Sequence, residues 1–209
     1  MVKQALVVAG CVLSMAAGTA MAEGLYGGIS LGVASVDIDK KSFDSALTSA
    51  GATGLSSKAN ESDVGYKAYL GYGFNPYFAL EGGYANLGSA EYKATFTGGN
   101  AKVDWKSHGM FIQAVGRAPM GDSFALLGKG GVYFSENEAT IKATGPGGSA
   151  AGDASENEVN FVIGLGGEYA FNKSAALRVE WERFLNVGDK DTTGEGDIDL
   201  VSVGVAFKF

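Results

Sequence analysis

Residues 200–209, Leu-Val-Ser-Val-Gly-Val-Ala-Phe-Lys-Phe, decide the fold. Side chains of an extended strand alternate between two faces. Val201, Val203, Val205, Phe207 and Phe209 therefore share one face, while Ser202, Gly204, Ala206 and Lys208 share the other. The same alternation recurs upstream. Leu25, Ile29, Leu31 and Val33 oppose Tyr26, Gly28, Ser30 and Gly32, and Tyr66, Ala68, Leu70, Tyr72 and Phe74 oppose Lys67, Tyr69, Gly71 and Gly73. Phe78, Leu80 and Tyr84 oppose Ala79, Glu81 and Gly83. Further segments cover 110–117, 124–134, 159–171 and 177–182. Eight strands are predicted, an even count.

The connections fall into two length classes. Short turns are expected at Asn75-Pro76, Pro119 to Asp122 and Asn172 to Ser174, and long polar loops at about 38–62, 88–103, 136–157 and 186–197. Short turns at one end and long loops at the other are the pattern of an outer-membrane barrel, with both termini on the periplasmic side. A soluble eight-stranded barrel also alternates, but it turns its large apolar residues inward. That would leave Glu81, Lys129, Glu168, Arg178 and Glu180 in a dry core at several kcal/mol per poorly paired ion. A hydrated lumen, with Gly and Ser beside those charges, costs far less. The expected fold is all-β: an eight-stranded antiparallel transmembrane β-barrel with short periplasmic turns and long extracellular loops. Tyr72, Phe74, Phe78, Phe124, Tyr169, Phe171, Phe207 and Phe209 would form an aromatic girdle along one rim.

Composition narrows the function. The chain has 209 residues, 33 of them Gly, with one Cys, one His and a net charge of −7. An acidic chain argues against nucleic acid as a partner, and a single Cys excludes a disulfide scaffold. The single His108 has Ser107 beside it, but neighbours on a strand face opposite ways, so no hydrolytic pair forms. No enzyme activity, cofactor or metal is expected; the acids of the last loop fit no calcium-loop spacing. Residues 1–22 carry Lys3, a short apolar run and the small-x-small site Ala20-Met21-Ala22. They are expected to be an export signal cleaved after Ala22, leaving 23–209 as the barrel domain.

Two hairpins carry a family resemblance. They are Gly71-Tyr72-Gly73-Phe74-Asn75-Pro76-Tyr77-Phe78-Ala79-Leu80-Glu81-Gly82-Gly83-Tyr84, and Gly166-Gly167-Glu168-Tyr169-Ala170-Phe171 followed by Leu177-Arg178-Val179-Glu180-Trp181. With Val115-Gly116-Arg117-Ala118-Pro119 and the close at Phe209, they resemble the OmpA-like transmembrane domain. The resemblance covers 23–209 and implies the barrel alone. Relatives with a peptidoglycan-binding domain extend further, so wall tethering is not carried over. It also implies that Phe207 and Phe209 act as the signal read by the barrel assembly machinery, with periplasmic chaperones on the way. Interior charges form a plug in this family, and the matching positions are Glu81, Glu168, Arg178 and Glu180. The family's fourth-strand lysine corresponds to Val115, which leaves Lys129 or Arg117 as the basic partner.

With Lys67 and Glu182 added, four acids face four bases inside one narrow tube. The expected role is structural and surface-exposed in the outer membrane, beside lipid and lipopolysaccharide, as a monomer. The alternative is a small porin-like channel for ions or small solutes.

Overall fold

The computed structural model describes residues 23–36, 40–145, 148–189 and 195–209. The expected signal and its cleavage residues Ala20 and Ala22 lie outside them. The described elements are β1 (Gly24–Val36), α1 (Lys40–Ser49), β2 (Ser56–Asn60), β3 (Ser62–Asn75), β4 (Phe78–Phe96), β5 (Gly99–Met120), β6 (Phe124–Gly145), β7 (Gly148–Ala170), β8 (Ala175–Val187) and β9 (Gly196–Lys208). Antiparallel pairing runs β4-β3-β1-β9-β8-β7-β6-β5, and β5 returns to β4. Eight strands thus close a ring with no free edge inside the membrane, as lipid demands of a sheet. β2 stands outside the ring, paired to β4.

The two faces are inverted relative to a soluble barrel. Outward side chains are apolar and bare: Ile29 is 63%, Leu70 61% and Phe161 70% exposed. Inward Lys67 and Glu81 are 1% and 0% exposed. The outward apolar run on β1 from Leu25 to Val33 matches the ~9–11 residues with which a tilted strand crosses a bilayer. Tyr72, Phe74, Phe78, Phe124, Phe207 and Phe209 are solvent-bare on the outside near the short turns. Tyr72 meets Phe74 edge-on with ring centres 5.3 Å apart, and Tyr169 meets Phe171 at 5.8 Å.

The long connections differ from the expectation. Residues 88–96, 99–103, 136–145 and 148–157 are strand: β4 and β5 stay paired up to Phe96↔Gly99, and β6 and β7 up to Gly145↔Gly148. Segment 38–62 holds α1 and β2. The physical reason is a change of solvent. Beyond the bilayer the outer face meets water, so the polarity of the alternation inverts. Tyr92, Ala94 and Ala101 turn inward and are buried, while Glu91, Lys93 and Lys102 turn outward. The same inversion occurs on β8 at Phe184 (in) against Arg183 (out), and on β9 at Ile198 and Leu200 (in) against Asp199 (out). In sequence this reads as lost pattern; in space it marks where each strand leaves the membrane. A bulge between Asn86 and Ser89, with Gly88 at φ +74°, adds one residue to β4 and shifts its inward side from odd residues such as Glu81 and Ala85 to even ones such as Tyr92 and Ala94.

Glycine answers to the width of the tube. Tyr26 lies across Gly71, and Tyr69 across Gly28; a Cβ at either glycine would strike the facing ring. Gly71→Val is expected to cost about 1–3 kcal/mol through overpacking. The check is the urea midpoint of the barrel in micelles, and an unchanged midpoint would show that Tyr26 can move aside.

A buried ion network as the candidate functional site

Period-two alternation aims Lys67 of β3, Glu81 of β4, Gln113 and Arg117 of β5, Lys129 of β6, Glu168 of β7, and Arg178, Glu180 and Glu182 of β8 into the same space. All eight charged members are buried, with exposures from 0% for Glu81 and Glu182 to 8% for Lys129. Seven of them, all but Arg117, form one chain of alternating sign. Glu168 Oε2 accepts from Arg178 Nε at 2.7 Å across a directly opposed register pair. Arg178 Nη1 reaches Glu81 Oε1 at 2.5 Å, and Glu81 Oε2 accepts from Lys129 Nζ at 2.9 Å. Lys129 also pairs with Glu180, which lies 3.1 Å from Lys67 Nζ. Lys67 pairs in turn with Glu182, whose Oε1 accepts from Gln113 Nε2 at 3.1 Å. Four acids and four bases, Arg117 included, leave no net charge.

Tyrosines from the inner wall hold the chain in place. The Tyr26 hydroxyl donates to Glu81 at 2.8 Å, and Arg178 donates to the Tyr69 hydroxyl at 3.0 Å. The Arg117 and Arg178 guanidinium carbons stand 4.8 and 5.2 Å from the centre of the Tyr26 ring, within cation–π range. Burying ions this deeply is tolerable because each of the seven charges from Glu168 to Glu182 meets an opposite charge. Of the two basic candidates for Glu81, Lys129 makes the direct pair; Arg117 approaches it through the Tyr26 ring.

The inner face is not only small and charged. Towards the long hairpins it is packed by Phe111, Tyr133, Phe184, Leu87 and Leu200, with Tyr133 and Phe184 edge-on at 4.9 Å. Beyond the charged layer the inner face is therefore lined by large apolar side chains as well as by small and charged ones. Phe184 and Ile198 escaped the sequence reading because both stand where the polarity inverts, beside Arg183 and Asp199.

Outside the membrane, α1 packs on the inner face of the β4–β5 hairpin. Phe43 stacks on Tyr92 with ring centres 5.0 Å apart, and the Tyr92 hydroxyl donates to Asp44 at 2.5 Å. Leu47, Leu55, Phe96 and Val103 complete this small core. Burial pushes the Tyr92 phenol up to about 12, and its bond to the Asp44 carboxylate adds to the shift. A raised phenol pKa means that the packed state favours the protonated form. Its stabilising contribution is therefore complete below the open-state value of 10.0 and disappears as the pH rises to about 12. Near-ultraviolet circular dichroism of the native chain is expected to fall across that window and to stay flat for Tyr92→Phe. Equal losses in both would contradict the assignment.

The remaining sequence candidates are placed as follows. Ser107 points inward and lies 3.3 Å from the Tyr133 hydroxyl, while His108 points outward beside the Tyr84 ring. Among the described residues, no group of three or more His, Cys, Asp or Glu side chains is placed to hold a metal ion. Phe207 and Phe209 stand bare on the outer rim.

Comparison with known proteins gives a consistent family. The family described as "OmpA-like transmembrane domain" matches residues 20–209. Outer membrane protein A of Salmonella typhi is 34% identical over 152 residues, covering 72% of this chain and 41% of the relative. The protein of the same name from Shigella flexneri is also 34% identical over 152 residues, with the same coverage. The chain thus spans about two fifths of the length of these relatives. Among solved structures, Ail of Yersinia pestis aligns with a TM-score of 0.47 and 16% identity over 90% of this chain and 99% of that one. OprG of Pseudomonas aeruginosa aligns at 0.48 and 15% over 92% and 99%.

Proposed function

Since the chain belongs to the family of OmpA-like transmembrane domains and resides in the outer membrane, we propose that it is a structural, surface-exposed member of the envelope, neither an enzyme nor an open pore. The observation that carries this reading is the uninterrupted ion chain from Glu168 to Glu182, backed by the Phe111, Tyr133 and Phe184 layer. A conducting pore needs a polar path, and these two layers offer charge-compensated and apolar obstacles in series. The lone His108 has no nucleophile on its own face of the strand, which speaks against hydrolysis.

On this reading the chain is one barrel domain over 23–209 behind a removable signal over 1–22. It sits as a monomer in lipid and lipopolysaccharide, the bare apolar band leaving lipid as its natural surround. Phe207 and Phe209 are the feature offered to the assembly machinery after chaperoned passage through the periplasm.

The surface role has a direct test. Lys58, Lys93 and Lys142 are exposed on the outward hairpin wall, whereas Lys67 and Lys129 are buried. A membrane-impermeant amine reagent applied to intact cells is expected to modify the first three and to spare the last two, even after the folded protein is extracted in detergent. Unmodified hairpin lysines on intact cells would overturn the surface role.

A further inference from the structure

β7 outruns its partner. Over Phe161–Ala170 it pairs with β6 on one side and β8 on the other. Over residues 148–160 it pairs with β6 alone, and among the described residues no strand takes its other edge. Alternation in an antiparallel ladder leaves about half of the amides and carbonyls in that stretch pointing away from β6.

Natural sheets blunt such edges with proline, lysine, a bulge or brevity. The stretch Gly-Ser-Ala-Ala-Gly-Asp-Ala-Ser-Glu-Asn-Glu-Val-Asn has no Pro and no Lys, and its register with β6 is unbroken. Its small side chains also let another backbone approach. The opposite edge of the same sheet, β2, is blunted: it has 5 residues and carries Lys58.

The charge around the edge is one-sided. Asp153, Glu156 and Glu158 lie on it, while Glu136 and Glu138 of β6 stand opposite Asn157 and Ser155. Glu136, Glu138 and Glu156 make no ion pair among the described residues. Two copies pairing edge to edge would bring these acids together, at a cost.

We propose that the free edge of β7 over residues 148–160 takes an extended, basic segment of another protein as an added strand. Main-chain hydrogen bonds supply the attachment, and the acids select the charge of the guest. The inference goes beyond the structural role and borrows from it only the side of the membrane on which the edge stands. Binding to the purified barrel therefore tests the inference, while labelling on cells tests the role.

The probe is a synthetic peptide of about ten residues that alternates lysine with valine or threonine, long enough to cover most of the edge. Its control carries the same charge but is N-methylated at alternate amides, so that it cannot donate to the edge. The full chain, refolded in micelles, is followed by hydrogen exchange. The plain peptide is expected to slow exchange about tenfold across 149–159, and the methylated one to leave it unchanged. Glu156→Lys with Glu158→Lys, checked for folding by heat-modifiable gel migration, is expected to weaken the plain peptide about tenfold or more. Equal binding of both peptides would reduce the effect to charge adsorption and overturn the proposal. So would absence of binding to the native chain, or an edge already protected without peptide.

Discussion

Arg178→Ala is expected to destabilise the folded barrel by about 3–5 kcal/mol, the cost of leaving buried partners uncompensated. Arg178 holds Glu168 at 2.7 Å and Glu81 at 2.5 Å and donates to Tyr69 at 3.0 Å. Glu81 keeps Lys129 and Tyr26 after the substitution, but Glu168 loses its ion-pair partner. Replacing Glu168 and Arg178 together by leucines removes both charges and is expected to recover much of the loss. Urea midpoints in lipid vesicles for the two single variants and the double variant measure this coupling. A loss below about 1 kcal/mol for Arg178→Ala would mean that water already solvates these groups.

Leu70→Arg tests the other face. Leu70 lies outward near mid-strand, opposite Gly27 and Gly82 on its two neighbours. An arginine there is expected to cost about 2–4 kcal/mol if the site lies near the bilayer midplane. Lys93→Leu, on the watery part of β4, is expected to stay within about 0.5 kcal/mol of the native value. Were this apolar face bathed in water and not in lipid, an arginine at Leu70 would be nearly harmless. Refolding yield and urea midpoint in vesicles separate the two cases.

The contrast between these positions shows what the sequence makes visible. Within the bilayer, lipid outside and side chains inside impose a strict period of two, so the strand faces and the shared inner face of Lys67, Glu81, Lys129 and Arg178 are legible. Glu168 and Arg178 can be paired in advance because each stands five residues from Lys173, the midpoint of their short turn. Beyond the bilayer the rule changes sign. Tyr92 turns inward beside Glu91 and Lys93, and Ile198 and Leu200 turn inward beside Asp199; a reader expecting apolar residues outside sees a loop. α1 is hidden for another reason, since Phe43 meets Tyr92, and Leu47 the cluster of Tyr92, Ala94 and Ala101, only through tertiary packing. The apolar layer around Phe184 needed both the inversion and the closure of the ring to become visible.

The central proposal is that the ion network and the apolar layer together close this barrel to ions. Conductance across a planar lipid bilayer holding the refolded chain tests it most directly. The account predicts no sustained current from the native chain at moderate voltage and salt. A steady, ohmic single-channel conductance from correctly folded, heat-modifiable protein would contradict it and establish the chain as a pore.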